Sequence, residues 1–171
     1  KKYLNLVPIE SKVLEIGLGY GSISNYLASN CKKYYALDIA KGPVDCVNTR
    51  LKFLKKEQTA MVGTAHRLAF DNQSLDAVVS IGCFHHTGQT QHCIDEAYRV
   101  LKKGGLLIFM CYNKKSIRIL KKFPFSIFFN SQEGIRLTSD QAKLYDSNEQ
   151  SQGAPFTELN SAIQYKKMCS N

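Results

Sequence analysis

Val13-Leu14-Glu15-Ile16-Gly17-Leu18-Gly19-Tyr20-Gly21 decides the fold. A short apolar run meets a carboxylate and then glycine at every second position. Ser22-Ile23-Ser24-Asn25-Tyr26-Leu27-Ala28 follows with a helical pattern. Glycine serves where backbone turns tightly or passes close to a ligand, because a Cβ would collide there. A strand, a glycine loop and a helix, in that order, open a nucleotide-binding α/β unit. A tight strand-to-helix turn that holds no ligand is the competing reading of the same residues.

The loop also carries information about ligand charge. A dinucleotide site sets a pyrophosphate at the helix N-terminus and uses G-x-G-x-x-G. Gly17 and Gly19 match that spacing, but Ser22 holds the third position and the glycine falls at Gly21. Glu15 is a poor neighbour for pyrophosphate and a good one for a cation. S-adenosylmethionine (SAM), with its sulfonium and ammonium groups, suits a carboxylate there.

Working outward, a helix is expected over 22–29, then a buried strand, Tyr34-Tyr35-Ala36-Leu37, ending at Asp38. Asp38 lies 21 residues beyond Gly17, the spacing of a β-α-β unit. A carboxylate at that strand tip can accept hydrogen bonds from both ribose hydroxyls; a helix cap or loop aspartate is the plainer alternative. A second helix is expected over 44–56, entered through Gly42-Pro43. A third strand, Ala60-Met61-Val62, ends at Gly63-Thr64-Ala65-His66, and a fourth spans 74–81 and runs into Gly82-Cys83-Phe84-His85-His86. A helix over 93–101 has Ile94, Ala97, Tyr98 and Leu101 on one face and is closed by Lys103-Gly104-Gly105. Leu106 to Cys111 is apolar throughout, as a parallel strand buried on both faces should be. Alternating strands and helices predict an α/β fold: a Rossmann-like open, mostly parallel sheet with five strands and helices on both faces.

After Tyr112 the pattern changes. Residues 114–123 read as a basic helix, Pro124 interrupts it, and Phe125-Ser126-Ile127-Phe128-Phe129 is strongly apolar. Residues 139–156 are polar and weakly periodic. The expected organisation is a nucleotide-binding core over 1–113 and a helical or irregular substrate-side cap over 114–171, in one domain. A core or cap stripe is favoured over peripheral membrane contact for 114–129.

The formal net charge is +9, most of it from lysine pairs scattered at element ends. That distribution predicts solvated helix ends rather than a nucleic-acid surface. Six cysteines form no CxxC and no zinc spacing, so no metal is expected and a reducing cytoplasm is the simplest compartment.

Taken in order, these stretches resemble a class I SAM-dependent methyltransferase of the small-molecule branch called methyltransferase type 11, over about 12–112. Val13 to Gly21 resembles the family's first motif, and Asp38 with Ile39 its ribose-binding strand tip. Gly63-Thr64-Ala65-His66 resembles the adenine-side segment, and Ser80-Ile81 with Phe84-His85-His86 the fourth-strand motif facing the methyl donor. Arg99-Val100-Leu101-Lys102-Lys103-Gly104-Gly105 resembles the helix-to-fifth-strand signature. The resemblance implies SAM held by Glu15, Gly17, Gly19, Gly21, Asp38, Ile39, Thr64, Ala65, His66, Ser80 and Ile81. Thr64 stands where the family often has Asp, and Lys103 where it often has Pro. The family's sheet normally continues with two more strands. No stretch after Phe156 offers them, so the chain is expected to be cut at both ends.

Methyl transfer from a sulfonium needs a nucleophile in line with the methyl carbon, and much of the catalysis is orientation. A base is needed only where the acceptor loses a proton. His85 and His86 follow the fourth strand's C-terminal end, where open α/β sheets bind ligands, and histidine suits that role; a paired histidine that packs and caps a loop is the alternative. Tyr112 and Asn113 are the next substrate-side candidates. The expected function is methyl transfer to a small-molecule acceptor: a metabolite, lipid or sugar derivative. A non-catalytic SAM- or nucleotide-binding module and an NAD-dependent oxidoreductase are the competing readings.

Overall fold

The structure is a computed structural model that describes residues 3–56, 59–122, 134–143 and 156–170. It divides into two compact units. The first comprises Lys1–Ile81 and Asp95–Met110, the second Gly82–Ile94 and Cys111–Asn171. The second unit thus joins Gly82–Ile94 to the C-terminal segment from Cys111 onward.

The first unit is a five-stranded sheet in the order β3-β2-β1-β4-β5. Its strands are β1 (Lys12–Ile16), β2 (Lys33–Asp38), β3 (Ala60–Val62), β4 (Leu75–Ile81) and β5 (Leu101–Met110). All four pairings are parallel, with Val13 opposite both Tyr34 and Ala77. Central β1 is buried from Val13 to Ile16, which is why it reads as a continuous apolar run rather than an alternating one. One face of β1, β2 and β4 packs Val13, Tyr34, Ala36, Ala77 and Val79 against Leu27 of α1 (Ser24–Asn30) and Val44, Val47 and Leu51 of α2 (Lys41–Phe53).

Three local features differ from expectation. Gly42 and Pro43 do not precede α2 but lie in its first turn, where proline's missing N–H is not needed. The helix preceding β5, α3, spans Thr90–Val100, so Leu101 begins the strand instead of ending the helix. Gly104 and Gly105 therefore do not cap a helix; they form a bulge in β5. Leu75 pairs with Leu101 and Ala77 with Leu106, leaving extra residues on β5. Gly104 has φ +75°, and a Cβ at Gly105 would stand 2.9 Å from the Lys102 carbonyl oxygen and 3.2 Å from that of Asp76.

In the second unit, β6 (Ile135–Leu137) pairs antiparallel with β7 (Thr157–Leu159) as a separate two-stranded sheet. Sequence reasoning finds no strand after Phe156; β7 corrects that. At three residues, with Thr and Glu in it, β7 shows no periodicity long enough to detect. Ile119 of α4 (Ile117–Lys122) forms a small apolar cluster with Ile135, Leu137, Leu159 and Tyr112. Two further short helices lie among the described residues of this unit, α5 (Ser139–Lys143) and α6 (Ala162–Met168). The latter opens with a capping box in which Ser161 and Gln164 exchange side-chain-to-backbone hydrogen bonds. The apolar stretch Phe125 to Phe129 lies outside the described residues. No helix among the described residues is long and apolar enough to cross a membrane.

Candidate functional site

In the first unit the glycine loop leaves β1 with three left-handed residues, Gly17 (φ 81°), Gly19 (φ 50°) and Gly21 (φ 71°). They serve different ends. A Cβ on Gly19 would meet nothing within 4 Å, so this position faces open space. One on Gly21 would stand 3.0 Å from Val47 Cγ2, so Gly21 is needed to let the loop pack on α2. Gly17 N–H donates to the Leu37 carbonyl at 2.9 Å, continuing the β1–β2 ladder past the end of β1.

Asp38 locks this turn. Its Oδ2 accepts from Leu18 N–H at 2.7 Å and its Oδ1 from Ala40 N–H at 2.9 Å. Each carboxylate oxygen keeps a lone pair after these bonds, so the side chain retains capacity for a further donor. The next residue, Ile39, leaves 78% of its surface exposed, a large apolar side chain set in solvent beside a polar turn.

Beneath the loop, Glu15 is fully buried. Its Oε2 accepts from the Tyr34 hydroxyl at 2.6 Å, and its Oε1 closes no hydrogen bond. Burial is the main cause that lifts this carboxyl to a pKa of about 7. The Tyr34 and Ser24 hydroxyls oppose the rise, and the nearby Asp38 charge adds to it. Burial and the Glu15 charge together push the Tyr34 phenol far above its usual range, so the phenol is the donor.

Beyond β3, Gly63 is held by close packing, since a Cβ there would lie 2.7 Å from Leu37 Cδ1. Thr64 Oγ1 accepts from His66 N–H at 3.2 Å, and Ala65 is buried. The segment that follows is fastened by α3. Arg99 donates to the carbonyls of Leu68 and Phe70 and to Glu96, while Glu96 accepts from Leu68 N–H. Ser80, near the end of β4, is fully buried and its hydroxyl closes no hydrogen bond; Ile81 is partly exposed. The first unit thus holds every expected cofactor residue.

The expected catalytic and substrate-side residues all fall in the second unit. His85 is fully buried, with its ring 4.0 Å from that of His86 and 4.3 Å from that of Tyr112, centroid to centroid. His86 Nδ1 lies 3.1 Å from both the Phe156 carbonyl and the Thr157 hydroxyl. A carbonyl only accepts, whereas the Thr157 hydroxyl can donate or accept, so the Phe156 contact is a hydrogen bond in the tautomer with the proton on Nδ1. Asn113 bridges to Asn160 and is itself exposed.

Sequence reasoning passes over Tyr34, read only as an apolar strand residue, and over Glu158. Glu158 is buried, accepts from the Thr90 hydroxyl and N–H at the start of α3, and pairs with Arg136 at 3.1 Å. In both cases the partner is remote in sequence and no local pattern marks it.

A family model described as "Methyltransferase domain" matches residues 14–109. The chain is 32% identical over 114 residues to a sarcosine/dimethylglycine N-methyltransferase of Aphanothece halophytica, covering 60% of this chain and 38% of that protein. It is 30% identical over 122 residues to a tRNA N(3)-methylcytidine methyltransferase of Schizosaccharomyces pombe, covering 66% and 40%. The chain therefore spans about two fifths of the length of these curated relatives. In fold it is similar to a SAM-dependent methyltransferase from Methanosarcina mazei, with a TM-score of 0.71 and 18% identity over 98% of this chain and 81% of that one.

Proposed function

The chain belongs to the methyltransferase domain family of class I SAM-dependent enzymes, and from that premise we propose that its first unit binds SAM for methyl transfer to a small-molecule acceptor. One observation carries the reading: a left-handed glycine loop is tied through Leu18 N–H to the acid at the next strand tip, above a buried carboxyl with an unused oxygen. These residues fit the cofactor. Gly19 presents bare backbone to open space, Asp38 keeps lone pairs for ribose hydroxyls, and exposed Ile39 offers an apolar surface for a base. Glu15 favours the cationic end of SAM over a pyrophosphate, which sets the NAD-type reading aside.

When bound, SAM supplies an electrophilic methyl on a sulfonium leaving group. The chain's own contribution is then orientation and, for an acceptor that must lose a proton, a base. His86 is the candidate base, its ring anchored at Nδ1 by the Phe156 carbonyl and the Thr157 hydroxyl. His85, buried against two rings, is better suited to hold His86 in place. Tyr112 and Asn113 are proposed on the substrate side. The relatives act on an amino-acid derivative and on tRNA by name; scattered lysines favour the small acceptor for this chain. A reducing cytoplasm is the proposed compartment, where the six cysteines stay as thiols.

Calorimetric titration with SAM, S-adenosylhomocysteine and NAD tests the reading. The two adenosyl-sulfur ligands should bind and NAD should not; the reverse order would establish a dinucleotide site. Asp38→Ala should weaken SAM binding by roughly 1.5–3 kcal/mol, the range for hydrogen bonds to a charged group. Unchanged affinity in the folded variant would remove Asp38 from the site. Methylation assays against glycine derivatives and against tRNA then separate the acceptor classes.

A further inference from the structure

The Tyr34 hydroxyl, bonded to Glu15, is a feature that the cofactor reading leaves unused. Phenylalanine or valine would fill the Tyr34 position in β2 equally well as core, yet the residue there carries a hydroxyl, 99% buried, that must find a partner. It finds one oxygen of one carboxyl. Glu15 Oε2 accepts from it at 2.6 Å, while Oε1 accepts from nothing. A carboxyl held at one oxygen has its second oxygen fixed in direction. We propose that Tyr34 is a positioning residue for the cofactor, holding Glu15 by Oε2 so that Oε1 is presented to the cationic end of SAM. This inference rests on the SAM reading above.

Three groups face Glu15: Tyr34 from β2, Ser24 from α1 and Asp38 from the tip of β2; Cys31, at the end of α1, faces Tyr34. Burial keeps the carboxyl part-protonated near neutrality, and the two hydroxyls hold it lower than burial alone would. A bound cation stabilises the carboxylate and drives the proton off. Affinity for the cofactor therefore falls as pH drops through about 7, and binding below that point releases a proton. Removing the Tyr34 hydroxyl takes away a lowering contribution, so Glu15 stays protonated to higher pH and the affinity midpoint moves up.

S-adenosylhomocysteine, which keeps the ammonium group, is titrated calorimetrically between about pH 5.5 and 8.5, in buffers of differing ionisation enthalpy to count protons. The native chain should lose up to tenfold in affinity per pH unit below its midpoint. Tyr34→Phe should shift the midpoint upward, and Glu15→Gln should flatten the profile and abolish proton release. A Tyr34→Phe protein with native circular dichroism and an unmoved midpoint would overturn the proposal, as would a flat native profile. Should Tyr34→Phe misfold, the native chain still decides: the slowly exchanging Tyr34 hydroxyl proton must persist in the NMR spectrum of the complex, and its loss on binding would refute the pair's role. Absence of binding at every pH would bring down the SAM reading itself, and this proposal with it.

Discussion

The two units bury different kinds of side chain. In the first the interior is aliphatic, with Val13, Leu14, Leu27, Val47, Leu51 and Val79 at its centre, and the buried polar residues are Ser11, Glu15, Ser24 and Ser80. Among the described residues of the second, His85, Thr90, Lys114, Thr157, Glu158, Asn160 and Ser161 are buried, alongside apolar Phe84, Cys93, Ile94 and Ala142 and the cluster of Ile119, Ile135, Leu137 and Leu159. One unit is held by area removed from water, which is non-directional. The other depends on particular donors meeting particular acceptors, which is all-or-nothing for each group. Buried polar side chains in the sheet unit are few, and those around the glycine loop bear on its function. In the second unit they are part of the framework.

Core truncation gives the largest test of that contrast. Leu51→Ala should cost about 2–5 kcal/mol in denaturant unfolding, because the tight α2–sheet packing cannot collapse into the space. Leu159→Ala, in the small cluster around Ile119, should cost clearly less; equal losses would erase the distinction. The next effect belongs to Glu15, whose folded pKa of about 7 lies above the 4.5 of a free glutamate. The folded chain then binds more protons than the unfolded one between those values, so this group lowers stability as pH rises from about 4.5 to 7. Glu15→Gln should accordingly raise the stability of the ligand-free protein by roughly 2–3 kcal/mol above pH 7 and leave it unchanged near pH 4. Thermal melts across pH would show it, and a pH-independent gain would point to packing instead. The smallest effect is expected in the second unit. Glu158→Ala should cost about 1–2 kcal/mol by leaving the Thr90 N–H at the start of α3 without its acceptor. Hydrogen exchange at that helix end would report it, and protection equal to the native chain would show that the Glu158 contact is dispensable.

The same contrast explains what could be read in the sequence. Strands β1 to β4 are legible to within a residue or two, because each is written as a run of consecutive apolar residues, and in β1 and β4 burial on both faces makes it so. The glycine loop and Asp38 of the proposed cofactor site follow from spacing along that unit, and the rest of that site from the family resemblance. Gly104-Gly105 misleads because two glycines after a helix signal a cap and a bulge equally well, and only the pairing of β5 with β4 separates them. Tyr34 and Glu158 carry their meaning in partners that lie 19 and 68 residues away. A local window registers the residue type and misses the bond. The second unit, made of such bonds, is where sequence reasoning is thinnest.

The order β3-β2-β1-β4-β5 has a kinetic consequence. β1 pairs with β2 across a short connection, Val13 with Tyr34, but must wait for Ala77 to gain its other neighbour. Closing the longer loop costs more chain entropy before any contact rewards it. The segment from Lys12 to Asp38, which carries Glu15, the glycine loop and the Asp38 lock, is thus the part of the sheet whose pairing closes earliest. A nascent chain leaving the ribosome would complete the glycine loop and the Asp38 lock before β4, the strand that flanks β1 on the other side, had been synthesised.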